Sequence, residues 1–151
     1  MKKKFAGYIN LKPLNGIIYP SSIQNIIMKD FVQKKLKGTF YLSPTEVLQS
    51  KFPITLRTLI GSETKVDGIV MLSSFSLPQN EKIRFNLYRE LISKKKEFHF
   101  ILDELSFKNQ KDKETIENYL LFNNSFFMQT KKKLNKFEKK IVKKFFKINF
   151  V

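Results

Sequence analysis

The stretch that most constrains the fold is Val66-Asp67-Gly68-Ile69-Val70-Met71-Leu72-Ser73-Ser74-Phe75-Ser76-Leu77-Pro78, an apolar run that ends abruptly in hydroxyls and a proline. Helical patterns flank it on both sides in place of hairpin turns. That is how the central strand of a parallel sheet reads, because helices cover both of its faces. Ligands of such sheets bind beyond the carboxyl ends of the strands. The serine-rich exit of this run is therefore where polar groups reach a surface.

The neighbouring segments fit the same architecture. Phe5 to Asn10 is a short β-prone segment, and two prolines and an Asn15-Gly16 pair enforce a loop from 11 to 20. Pro20-Ser21-Ser22 offers N-cap chemistry to a helix carrying Ile23, Ile26, Ile27, Phe31 and Leu36 at near-helical spacing, with Gly38 as its expected end. Thr39 to Leu42 reads as a second strand, and Ser43 to Glu46 turns the chain into a helical segment that Pro53 interrupts or restarts. After the central strand, a helix beginning near Pro78-Gln79-Asn80-Glu81 places Ile83, Leu87, Leu91 and Ile92 on one face, and Glu97 to Leu102 is a fourth strand. Strand and helix in regular alternation specify right-handed βαβ crossovers. The expectation is a three-layer α/β sandwich of Rossmann-like kind, with a mainly parallel four-stranded sheet.

At 151 residues the chain suits one well-packed core. The expected division is an α/β domain over 1–128 and a C-terminal appendage over 129–151. Without cysteine, and with His99 as the single histidine, disulfides, thiolate nucleophiles and multi-histidine metal sites are excluded. No metal or cofactor is expected. The absence of cysteine fits a cytoplasmic setting, and neither a signal-peptide pattern nor a bilayer-length apolar run is present.

The formal net charge is +16. Residues 131–151 hold nine lysines against Glu138, so half of the excess lies in the appendage. There Leu134, Phe137, Ile141, Phe145 and Ile148 recur every three or four residues, with lysines on the opposite face, as in a basic amphipathic helix. Such a helix suits packing on the body or on a second subunit, an anionic membrane surface, or nucleic acid. The sequence leaves that choice open.

In a parallel sheet the strand ends bring together Asn10 and the 11–20 loop, Ser43 with Glu46, Ser73 with Ser74, and Asp103 with Glu104. Carboxylates beside hydroxyls and amides are the material of acid and base catalysis when burial shifts a pKa. The same polarity also arises at the strand ends of purely structural sheets. Gln24, Asn25, Lys29 and Asp30 lie on the first helix, whose free backbone N–H groups help to hold an anion. His99 falls inside its strand and reads as a buried, hydrogen-bonded side chain. No Gly-rich phosphate loop and no glycine-bracketed serine nucleophile is present.

Gly7-Tyr8-Ile9, Asn15-Gly16, Pro20, Gln24-Asn25, Lys29-Asp30-Phe31, Leu42-Ser43 with Thr45-Glu46, Asp67-Gly68-Ile69-Val70, Ser74-Phe75, Leu77-Pro78, Arg84, Tyr88 and His99-Phe100 occur in order over residues 5–105. In this series the chain resembles the sporadic carbohydrate cluster protein family, small bacterial proteins encoded among genes for lipopolysaccharide, O-antigen and other surface glycans. The resemblance implies a pathway, not a reaction. It departs at Lys29-Asp30-Phe31, where the family has Arg-Asp-Tyr, and at Asp103, where it has Glu. Lysine in place of arginine loses the planar fork for a phosphate or carboxylate. More distantly, the chain is similar in architecture to the serine recombinase (resolvase) catalytic domain. Tyr8-Ile9-Asn10-Leu11-Lys12 nevertheless supplies no serine where that nucleophile should follow the first strand.

The resulting expectation is a protein of surface-polysaccharide biosynthesis that binds or modifies a sugar nucleotide or sugar phosphate at the strand-end rim. Glu46 and Asp103 are the candidate acid or base, and Asn15, Gln24, Asn25, Lys29, Asp30, Ser43, Ser74 and Arg84 the candidate ligand-binding residues. The alternative is a non-enzymatic scaffold that meets a glycan-assembly enzyme or the inner-membrane surface through the basic helix, with self-association as a further partner class. Ranked last is a DNA-binding, recombinase-like protein without strand transfer.

Overall fold

A computed structural model describes residues 1–14, 16–41, 44–46 and 52–124. By chain contacts the protein divides into two compact units, Met1–Ile116 and Glu117–Val151. The first unit is built on strands β1 (Lys4–Gly7), β2 (Thr39–Tyr41), β3 (Gly68–Met71), β4 (Glu97–Phe100) and β5 (Leu105–Phe107), with helices α1 (Ser21–Phe31), α2 (Ile54–Ile60) and α3 (Glu81–Ser93) between them. Residues 112–124 are helical. The expected boundary near 128 and the basic amphipathic helix beyond it lie outside the described residues.

The sheet has five strands in the order β2-β1-β3-β4-β5. The first four are parallel and β5 is antiparallel to β4, so the expected mainly parallel sheet holds, with one strand more than expected. The extra strand is the second arm of a tight hairpin through Ile101–Glu104, in which Glu104 takes a left-handed φ of 53°. Three residues are too few to show a period-two pattern.

Each face of β3 is covered. Successive residues of a strand point to opposite sides, and Val70 and Leu72 pack with Phe5, Met28 and Val32 in one cluster against α1. Ile69 and Met71 are equally buried, with α2 and α3 meeting each other and α2 meeting β3. All four residues of β3 are buried, as the unbroken apolar run requires. Gly68 opens the strand because its neighbours leave no room. A Cβ there would stand 2.8 Å from Glu97 Cγ and 2.9 Å from Phe5 Cε1.

Two details of the first crossover depart from expectation. The residue before α1 is Pro20, with no side-chain cap, and Ser21 and Ser22 lie inside the helix. The helix does not run on to Gly38. After Phe31 it widens into a π-helical segment, Val32–Leu36, and stops where Lys37 turns left-handed at φ 53°. Gly38 serves packing instead, since a Cβ on it would meet the Phe5 ring at 2.7 Å. α3 starts as read, with the Asn80 side chain accepting from the Ile83 N–H at 3.2 Å.

From β1 the chain crosses to β2 on one side and then to β3 on the other. The strand order therefore reverses between β1 and β3. In an open α/β sheet the loops leaving two such strands part and open a crevice at their carboxyl ends.

Candidate functional site at the carboxyl ends of the strands

The crevice is framed by Tyr8–Asn10 after β1 and Leu72–Ser76 after β3. Its polar groups are bonded mainly to one another. Buried Asn10 donates from Nδ2 to the Ser76 carbonyl at 3.2 Å and accepts the Lys12 N–H on Oδ1 at 3.0 Å. Gln24, on the inner face of α1, donates from Nε2 to the carbonyls of Asn10 at 3.3 Å and Tyr19 at 2.8 Å. These two amides tie the loop after β1 to α1 and to the exit of β3.

Asp103 joins β3 to the β4–β5 hairpin. It accepts from Ser73 Oγ at 2.8 Å, from the Ser74 N–H at 2.6 Å and from Ser74 Oγ at 2.5 Å. Ser73 Oγ in turn accepts the Phe75 N–H, capping the short 3-10 turn Ser74–Ser76. Both serines are buried, so their hydroxyls serve the carboxylate and not an incoming ligand.

Glu46 plays the corresponding part near β1. Oε2 accepts from the Tyr8 hydroxyl at 3.1 Å and the Leu56 N–H at 3.2 Å, and Oε1 accepts from the Thr55 N–H at 3.1 Å. A carboxylate on the first turn of α2 satisfies N–H groups that have no partner within the helix and faces the positive end of its dipole. Burial, and after it the adjacent Glu46 charge, pushes the Tyr8 phenol far above its ordinary pKa, so it stays a neutral donor. Tyr8 went unnoticed as a site residue in the sequence because its partner lies 38 positions away.

The remaining candidates are dispersed. Arg84 donates from Nη1 to the carbonyls of Pro78 at 3.0 Å and Gln79 at 2.6 Å, fixing the loop that leads into α3. Asp30 pairs with Lys34 at 2.6 Å on exposed α1 surface. Lys29 is exposed, and Asn25 stands one helical turn before it on the same face. The Asn25 Oδ1 atom is buried and has no hydrogen-bond partner. Asn15 and Ser43 lie outside the described residues. His99 is buried, with Nε2 3.1 Å from Glu97 Oε1 and its ring edge-on to Phe5.

Among the described residues no group of acidic, histidine or cysteine side chains could hold a metal ion, and no helix is long and apolar enough to cross a membrane. Most polar groups of the rim are bonded to one another, and Lys29 on α1 is exposed.

The strand order, the lone antiparallel edge strand and the helices on both faces define a mixed α/β protein with a resolvase-like fold. The chain is similar to the N-terminal catalytic domain of TP901-1 integrase, with a TM-score of 0.59 at 15% identity, over 85% of this chain and 99% of that one. At that identity the likeness concerns the fold. No protein-family profile matches the sequence, the sporadic carbohydrate cluster family included, and no curated protein matches it.

Proposed function

We propose that this protein is a resolvase-like body without strand-transfer chemistry that binds an anionic sugar precursor, a sugar nucleotide or sugar phosphate, in bacterial surface-polysaccharide biosynthesis. The observation that carries the reading is the reversal of strand order between β1 and β3, the place beyond whose strand ends open α/β sheets bind ligands. The glycan pathway rests on the segment resemblance alone. Because Glu46 and Asp103 are occupied by internal N–H and O–H donors, the reading favours binding over acid or base catalysis. On α1, Lys29 presents an exposed cation that a phosphate complements.

Thermal-shift screening of the full chain against sugar nucleotides and sugar phosphates tests the proposal. A binder present at a hundred times its Kd should raise Tm by roughly 8 °C. Lys29→Ala should reduce that rise. No binder in either class, or a binder indifferent to that change, would refute it.

A non-enzymatic variant of this reading has the lysine-rich tail dock a glycan-assembly enzyme or an anionic membrane surface. A second reading, favoured by the likeness to the integrase domain together with the +16 charge, is duplex DNA binding without cleavage.

A further inference from the structure

At the opposite, amino end of the parallel strands lies a hollow of about 370 Å³, bordered by Lys4 at the start of β1, by Val66 and Asp67 ahead of β3, and by Lys94 and Lys96 ahead of β4. Lys2 and Lys65 complete a ring of five lysines against the single Asp67. We propose that this hollow is an anion site, separate from the carboxyl rim, that takes the phosphate groups of a soluble small molecule.

The charge balance of the hollow supports this. Asp67 is engaged through Oδ2 by the Lys4 backbone N–H at 2.7 Å. Buried Lys96 is fixed: its Nζ donates to the carbonyls of Leu59 at 3.0 Å, Gly61 at 2.7 Å and Thr64 at 2.7 Å, which uses all three protons. Its charge is therefore held in place by the end of α2 and the loop that follows it. Burial, reinforced by Lys94 and opposed by Asp67, holds this ammonium below the usual lysine range. Lys94 reaches only the Ser62 hydroxyl, at 3.3 Å, and Lys2, Lys4 and Lys65 form no ion pair among the described residues. Like charges gathered at a concave surface repel one another and raise the local concentration of anions. Lysine binds phosphate as a flexible point charge, without the planar geometry that selects carboxylates through arginine. The volume falls within the range of small-molecule sites, roughly 300–1,000 Å³. Exposed cations around the hollow and a fixed one at its wall suit a diphosphate better than an uncharged ligand.

The test uses the full-length protein, inorganic pyrophosphate and a nucleoside diphosphate, titrated by calorimetry at ionic strength held constant with sodium chloride. Both probes should saturate one site. The Lys65→Ala/Lys94→Ala double variant should weaken them by about tenfold or more, since it removes two charged donors. The Lys12→Ala/Lys35→Ala pair lowers net charge equally at exposed positions away from the hollow and should change affinity by less than about twofold. Absence of saturation with either probe, or equal weakening by the two double variants, would overturn the proposal. Binding that Lys29→Ala weakens and Lys65→Ala/Lys94→Ala leaves intact would also overturn it, while supporting the rim. Failure of the rim reading, in turn, leaves these titrations unaffected.

Discussion

At the scale of single residues, this fold uses ionisable groups as fasteners. Asp103 and Glu46 each accept several hydrogen bonds from segments distant in sequence, and Lys96 donates three to one loop. Glu97 is the case in which this has a pH signature. Its hydrogen bond with His99 holds its carboxyl below the ordinary range against the opposing effect of burial, and Lys3, 3.3 Å away, adds to the depression. A depressed folded-state pKa stabilises the fold fully above the unfolded value of about 4.3, and that contribution is lost as pH falls through the lower folded value. Glu97→Gln should therefore cost about 1–2 kcal/mol in urea unfolding at pH 7, and the gap from the parent should shrink as pH falls below about 4.3. A gap constant across that range would show that the charge contributes nothing.

At the scale of elements, β3 governs how closely the sheet can be assembled. Gly68 pairs with Phe5 on one side and Glu97 on the other, and the missing side chain lets the strands take that register. Gly68→Ala should destabilise the protein by about 2–3 kcal/mol, since the added methyl meets backbone and ring atoms within 3 Å. The corresponding measurement is the urea midpoint at pH 7, with unchanged far-UV circular dichroism confirming that the variant folds. In the sequence, Asp67-Gly68 was recognisable as the opening of a strand. The crowding that demands glycine there was not, because Phe5 and Glu97 are remote in the chain. The same separation hid β5, whose three residues become a strand only by pairing with β4.

At the scale of the whole molecule, the segment after β1 sets the limit on the proposed DNA reading. Tyr8-Ile9-Asn10-Leu11-Lys12 contains no serine, and the Asn10 amide is bonded to Ser76 and Lys12. Incubated with supercoiled or linear duplex, the protein should form no covalent protein–DNA adduct on denaturing gels. Any duplex affinity should fall steeply with salt, by a factor of roughly 10³ or more between 50 and 200 mM where several phosphates are contacted. A covalent adduct would overturn the absence of strand-transfer chemistry, and affinity that persists at high salt with sequence preference would favour the DNA reading over the glycan one.

The sequence by itself determined the α/β class, the central strand, the start of α3 and the burial of His99. Each follows from a local pattern: an unbroken apolar run, helical spacing after Pro78-Gln79-Asn80-Glu81, a histidine within a strand. Only the tertiary structure decided what the polar residues do. Asn10, Gln24, Glu46, Ser74 and Asp103 were legible as polar positions, yet each has a partner 14 or more positions away, as far as 66 for Asn10, and only the assembled crossovers show those bonds. The lysine-lined hollow is a still clearer case. Lys4, Lys65 and Lys94 share no motif, and they meet because parallel strands place all their amino ends on one side of the sheet.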